Sequence, residues 1–264
     1  MSEIEKDNFA YTLITGGSGV LGTEFAKIYL SKGENVLLTG RSEEKLENIK
    51  NSFSTKQDVL TFSCDLDKAG SRENLFEFIR QKGIIITRII HCAGNDNQKA
   101  FGLFNQKSLI TQIRANYEAP LSITLFCLQN FPVKEILAVS SLTAIVPMPY
   151  FATYTSSKRA LWDFFTAIKR ENKNVKITVA LFGSVPTRED IKADIKKQGL
   201  TGKLSSQSPE KVVRKSVKAL EKDKDKVIVG FYNKLLYFFN KITPLKLKQK
   251  IIAKKFKNKT KENF

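Results

Sequence analysis

A chain of 264 residues with 42% hydrophobic content can bury one large core, and no apolar run in it approaches the roughly 20 residues that span a bilayer. Its three cysteines, Cys64, Cys92 and Cys127, are odd in number, widely spaced and set among apolar residues, which suits reduced thiols in a cytoplasm better than a disulfide framework. The formal charge of +18 fits an anionic lipid surface, a nucleic acid, a phosphorylated substrate or simply a lysine-rich exterior. The opening MSEIEKDNFA carries acids and lacks the basic-then-apolar order of a signal peptide, so a cytoplasmic location is expected, with attachment at the inner membrane face left open.

Short apolar runs alternate with segments of helical period. Residues 11–15 precede 20–30, 35–39 precede 43–51, and 59–63 precede 73–81. The rhythm continues with strands at 86–91, 135–139 and 175–181, separated by helices around 109–129 and 155–170. Right-handed crossovers turn this βαβ order into a Rossmann-like, doubly wound parallel α/β sheet with helices on both faces. Nearly continuous apolar stretches such as VKITVALF are what strands covered on both faces require. Beyond Leu181 charge increases; 187–222 reads as a substrate lid region with a helix, and 227–230 as a short strand. Residues 1–230 are therefore expected to form the nucleotide-binding and catalytic unit, and 231–264 a basic amphipathic helical extension in which Pro244 breaks or starts a helix.

The segment TGGSGVLG, 15–22, closes the first strand and opens the first helix. Gly17, Gly19 and Gly22 fit G-x-G-x-x-G, and with Gly16, Ser18 and Leu21 they make a turn whose backbone N–H groups can approach phosphate at a helix N-terminus. The spacing also fits an ordinary glycine turn; its place between strand and helix favours the nucleotide. At the end of the second strand, Thr39, Gly40 and Arg41 offer no carboxylate to ribose hydroxyls. The Arg41 guanidinium, with the Ser42 hydroxyl, suits a 2′-phosphate, so NADP(H) is preferred to NAD(H), against the alternative of a solvated arginine at a helix start.

In their order, from about Thr12 to Gly230, these motifs resemble the short-chain dehydrogenase/reductase family. C-D-L at 64–66 is similar to its adenine-contacting element, which implies contacts from Asp65 and Leu66. H-C-A-G at 91–94 is similar to its N-N-A-G, with Ala93 and Gly94 beside the cofactor and His91 and Cys92 in place of asparagines. Asn116 matches the helix asparagine. Ser141, Tyr154 thirteen residues on, and Lys158 four further match the catalytic set. F-G-S-V-P-T at 182–187 resembles P-G-x-V-x-T without its first proline, which puts the loop around Phe182 in doubt and leaves Val185 and Thr187 at the positions that contact the nicotinamide carboxamide.

The chemistry needs these residue types. A phenol titrates near ~10, so Tyr154 serves as an acid–base only if its ionised form is favoured. Lys158, one helical turn away on the same face, can favour it and reach the nicotinamide ribose. Tyr154 would then protonate a carbonyl oxygen that Ser141 also holds, and the resemblance implies that Asn116 carries a water-linked proton path to Lys158. His91, the single histidine, reads as a hydrogen-bonded structural residue, and no cluster has metal-ligand spacing.

Apolar residues from Phe231 to Phe256 recur at helical spacing with lysines around them. Such helices suit peripheral contact with an anionic membrane, or packing against the body or another subunit, and both stay open. Family members with comparable extensions act on lipidic substrates, so the resemblance implies a small-molecule carbonyl or alcohol substrate of apolar, lipid-like character, and a homodimer or homotetramer paired through the helices carrying Asn116 and Tyr154. The alternatives are a reductase or epimerase of a sugar or polar metabolite, suggested by glycine spacing like that of the larger sugar-nucleotide members, and a catalytically silent NADP-binding scaffold. Nucleic acid is disfavoured because no reading motif is evident.

Overall fold

In the computed structural model, residues 9–257 are described; the acidic opening and positions 258–264 of the extension, including Glu262, lie outside the described residues. Seven strands, β1 (Ala10–Thr15), β2 (Asn35–Gly40), β3 (Val59–Ser63), β4 (Ile85–His91), β5 (Glu135–Ser141), β6 (Lys176–Phe182) and β7 (Lys226–Ile228), form one parallel sheet in the order β3-β2-β1-β4-β5-β6-β7. The order reverses between β1 and β4, where Thr15 pairs with His91. Open parallel sheets bind ligands at such a reversal, outside the carboxyl ends of the strands.

Both faces of the sheet are covered. On β1 and β2, Leu13 and Leu37 enter one buried cluster while Ile14 and Leu38 enter the other, as the period of two demands. The first cluster is completed by α3 (Ala69–Gln81), α5 (Ala119–Asn130) and α6 (Ala152–Glu171); the second by α1 (Val20–Ser31), α2 (Glu43–Asn51) and α9 (Pro209–Glu221). Helix α1 turns Phe25, Ala26, Tyr29 and Leu30 inward, and each large side chain so buried contributes about 1.5–3 kcal/mol. Helix α2 starts at Ser42, whose hydroxyl oxygen accepts from the Lys45 N–H, a cap that satisfies one otherwise orphan donor.

Three boundaries differ from the periodicity and bear on the site. Strand β5 runs to Ser141 because Ser140 and Ser141 still pair with Leu181 and Phe182 of β6. Helix α6 begins at Ala152, placing Tyr154 in its first turn. The long helix expected around 109–129 is α4 (Gln106–Ile113) and α5 joined by a π turn over Arg114–Glu118 that contains Asn116. Pro120 has no N–H to give the carbonyl four residues back, that of Asn116, so the regular ladder cannot continue there.

Of the 187–222 region, α7 (Glu189–Lys197) and α8 (Gly199–Ser205) lie over the apolar cavity described below. Helix α9 packs on the sheet through Val212, Val213, Val217 and Leu220. The extension forms α10 (Phe231–Ile242) and α11 (Leu245–Phe256), separated at Pro244. Buried Asn233 pins α10 by donating to the carbonyls of Ser205 (2.9 Å) and Val229 (2.8 Å), and Asn240 donates to that of Ile145 (2.9 Å). No helix among the described residues is long and apolar enough to cross a membrane.

Candidate active site

Two clefts meet at the carboxyl edge of the sheet. The first, about 460 Å³, is lined by Gly16, Ser18 and Gly19 of the glycine loop, by Arg41 after β2, by Asp65 and Leu66 after β3, and by Ala93 and Gly94 after β4. Thr15 holds two of these segments together, its hydroxyl oxygen accepting from the N–H groups of Cys92 (3.2 Å) and Ala93 (3.3 Å). At two of its glycines the loop leaves no room for a side chain. Gly16 has φ +70°, and a Cβ on it would sit 2.9 Å from the Ala93 backbone; a Cβ on Gly22 would lie 2.3 Å from the Gly16 carbonyl oxygen. The remaining expected residues stand behind this wall: Gly17 against Leu38, Leu21 against the core, and Ser42 at its cap.

The donor set of this cleft fits a dinucleotide. The N-terminus of α1 has no side-chain cap and no acid in its first turn, so its N–H groups and partial positive charge are turned to the cleft. Arg41, beyond β2, lines this cleft, as does Arg188, whose guanidinium is paired with Asp96 and Asp190.

The second cleft, about 640 Å³, is apolar and adjoins the first. Ser141 and Tyr154 line it together with Leu142, Ile145, Met148 and Phe151, and with Leu236, Phe239 and Phe256 from the extension. The Tyr154 ring stacks on Phe151 at 4.5 Å between centroids. Ser141 accepts from the N–H (3.2 Å) and hydroxyl (2.8 Å) of Thr143. Burial and the Asp96 carboxylate push the Tyr154 phenol up, while its hydrogen bond with Ser141 and the Arg188 guanidinium pull it down.

Lys158 is buried, its ammonium donating to the Val139 carbonyl at 2.9 Å; a Cβ on Gly94 would come within 3.2 Å of it. Burial presses its pKa down to about 8 against the opposing pull of Cys92 and Asp96. The Val139 carbonyl holds the Lys158 ammonium, and Asp96 and Arg188 are two further charges that act on the Tyr154 phenol. Asn116 accepts from the Asn95 N–H and donates to the Asn95 carbonyl, both at 2.7 Å, and donates to Ser157 at 3.2 Å. Val185 lines the apolar cleft, whereas Thr187 lies in neither wall and its N–H donates to the Val185 carbonyl at 2.8 Å.

His91 Nε2 lies 2.8 Å from the Thr124 hydroxyl, and burial with the nearby Lys158 charge holds its pKa down at about 3, so the ring is neutral. The three cysteines are free thiols, and among the described residues no group of three His, Cys, Asp or Glu could hold a metal. Sequence reasoning missed Asp96 and Arg188. They are 92 residues apart, on the loops after β4 and β6, and only the parallel topology brings them together.

A model of the short chain dehydrogenase family matches residues 10–199. The chain belongs to that family. It is thereby one of the dehydrogenases and reductases that act on C=O and CH–OH groups. It is 30% identical over 190 residues to the very-long-chain 3-oxoacyl-CoA reductase of Kluyveromyces lactis, covering 67% of this chain and 54% of that one. It is 26% identical over 200 residues to the 3-ketodihydrosphingosine reductase TSC10 of Saccharomyces cerevisiae (65% and 62%), and 28% identical over 172 residues to the oxidoreductase DltE of Bacillus subtilis (63% and 67%). The chain thus spans between about half and two thirds of these relatives' lengths. Among solved structures, a 7beta-hydroxysteroid dehydrogenase superposes with TM-score 0.82 at 20% identity, covering 96% of this chain and 100% of that one. A 4-hydroxyisoleucine dehydrogenase complexed with NADH gives 0.70 at 16%, covering 84% and 97%. Both share the short chain dehydrogenase fold.

Proposed function

We propose that this short chain dehydrogenase is an NADP(H)-dependent reductase of an apolar, lipid-like carbonyl compound, and the corresponding alcohol dehydrogenase in reverse. The observation that carries the reading is that Ser141 and Tyr154 share the wall of a largely apolar cleft that adjoins the glycine-loop cleft. When bound, the nicotinamide supplies or accepts the hydride.

Every other task falls to the chain. The N–H groups of 16–19 and the start of α1 hold diphosphate, Arg41 with Ser42 the 2′-phosphate, and Asp65 and Leu66 the adenine end. Gly17, Leu21 and Gly22 shape the loop. Ala93, Gly94, Val185 and Thr187 border the nicotinamide. Ser141 orients the substrate oxygen, and the Tyr154 hydroxyl gives it a proton. Lys158 holds the nicotinamide ribose, and Asn116, fixed to the Asn95 backbone beside Gly94, completes the path that returns a proton to Tyr154.

The substrate assignment is supported by the apolar part of the cleft wall, where Leu142, Ile145, Met148, Phe151, Leu236 and Phe239 offer an alkyl chain a surface to pack against. Two relatives are named as reductases of very-long-chain 3-oxoacyl-CoA and 3-ketodihydrosphingosine, which points the same way. Residues 231–257 of the extension serve as cavity wall and as peripheral contact with an anionic membrane at the cytoplasmic face. Exposed Ile110, Ile113 and Leu125 on α4 and α5 support a homodimer or homotetramer.

Titration with NADPH and NADH, followed by nucleotide oxidation with ketones of increasing chain length, tests the reading. NADPH should bind more tightly, Arg41→Ala should weaken NADPH by about tenfold or more with little effect on NADH, and turnover should rise with chain length. Equal losses for both nucleotides would remove the NADP assignment, and tight binding without turnover on any ketone would leave a scaffold.

A further inference from the structure

We propose that the outer face of α10 and α11 docks on an anionic lipid bilayer so that the apolar cleft draws its substrate directly from the lipid phase. This rests on the carbonyl-reductase reading of the cleft and adds the phase from which the substrate arrives.

Helix α10 carries three stripes. Asn233 and Tyr237 face the body, where Asn233 is fully buried and the Tyr237 ring lies 6.4 Å from that of Trp162. Leu236, Phe239, Asn240 and Thr243 line the cleft. Phe231, Leu235, Phe238 and Ile242, spaced four, three and four residues apart, share a third face, and their exposures run from 36% to 78%. The neighbouring helix repeats the division: Ile252 and Phe256 line the cleft, Leu245 and Leu247 are turned to solvent, and Ile251 does both. One two-helix element therefore walls the cavity on one side and carries a run of large apolar side chains on the other. Soluble surfaces rarely leave such a run uncovered.

Charge selects the occupant. Between Phe231 and Lys257 the chain has eight lysines and no aspartate or glutamate. An apolar face bordered by cations is complemented by a surface that is apolar within and anionic at its edge, which describes a bilayer containing acidic lipid. A second copy would oppose its own eight lysines to these. At 12 residues each, α10 and α11 are too short to span the hydrocarbon and would lie in the interfacial plane. Docked in that plane, Ile251 and Phe239, which are exposed and also line the cleft, give an apolar chain a continuous route from lipid to Tyr154 without crossing water.

The test uses the full chain, phosphatidylcholine vesicles with and without phosphatidylglycerol, a long-chain ketone dissolved in the vesicles and a short water-soluble ketone. The variant is Phe238→Ser with Ile242→Ser, two exposed residues outside the cleft lining. The protein should sediment with the acidic vesicles, less so as salt is added, and the double variant should bind about tenfold more weakly or worse. The variant should keep NADPH binding and turnover of the soluble ketone while losing most of its rate on the vesicle-dissolved one. Turnover of the soluble ketone with no vesicle binding, or an assembly of copies abolished by the double substitution in place of vesicle binding, would overturn docking and leave the reductase reading intact. Equal rates of wild type and variant on the vesicle-dissolved ketone would overturn loading from lipid. Vesicle binding with no turnover of either ketone would instead sink the reductase reading on which loading rests.

Discussion

One Arg188 nitrogen, Nη2, donates to both carboxylate oxygens of Asp96, at 2.9 and 3.0 Å, across the junction of the two clefts. Arg188 lines the glycine-loop side and Asp96 the apolar side. The pair also ties the first residue before α7 to the loop after β4, so it holds the start of the helices that cover the apolar cavity. Its two charges act on Tyr154 with opposite sign.

That opposition gives a pH test. A carboxylate near the phenol disfavours the phenolate, so Asp96→Asn should lower the phenol's pKa, and Arg188→Met should raise it. Alcohol oxidation needs the phenolate as proton acceptor. Its rising limb in a kcat/KM profile should therefore move to lower pH in Asp96→Asn and to higher pH in Arg188→Met. A rate loss with both limbs unmoved would reduce the pair to a structural tie.

Lys158 gives a stability test with a definite sign. Its folded pKa, about 8, lies below its ordinary value of 10.5, so the folded state binds its proton less well than the unfolded chain. The penalty is fully present below pH 8 and is relieved as pH rises from 8 towards 10.5, where stability increases. Its net size at pH 7 is on the order of 3 kcal/mol, with the hydrogen bond to Val139 already included. Lys158→Met should therefore raise the thermal midpoint at pH 7 while abolishing turnover, and the gain should shrink above pH 8. A lower midpoint at pH 7 would show that the ammonium stabilises the fold.

The glycine loop offers a matched pair of substitutions. Gly22→Ala places a methyl 2.3 Å from a backbone oxygen and 2.8 Å from the Gly17 Cα, neither of which is a flexible side-chain end. It should cost about 1–3 kcal/mol in chemical denaturation and weaken nucleotide binding severely. Gly70→Ala, in the first turn of α3 with nothing within 4 Å of the added Cβ, should be neutral or stabilising by about 0.4–1 kcal/mol. Equal effects of the two would contradict the close packing assigned to the loop.

Much of this was legible in the residues. Leu13/Leu37 and Ile14/Leu38 belong to strands that are apolar on both faces, and the runs announcing them needed no tertiary knowledge. The four-residue spacing of Tyr154 and Lys158 puts both on one helix face, though it could not show that Val139 holds the ammonium. The π turn at Asn116 was hidden because a hydrophobic period of 3.6 barely registers one extra residue; Pro120 was its available signal. Asp96 and Arg188 escaped for a different reason. Each looks like an ordinary charged loop residue, and their meeting depends on where β4 and β6 end.

The most direct test of the central assignment is single-turnover oxidation of NADPH by a long-chain ketone in Tyr154→Phe, alongside its NADPH affinity. Removing the phenolic oxygen deletes the proton donor and leaves the ring stacked on Phe151, so nucleotide binding should stay within about threefold of wild type while the transfer rate falls by about 10²–10⁴. Transfer at near wild-type rate with intact NADPH binding would contradict Tyr154 as the acid that protonates the substrate.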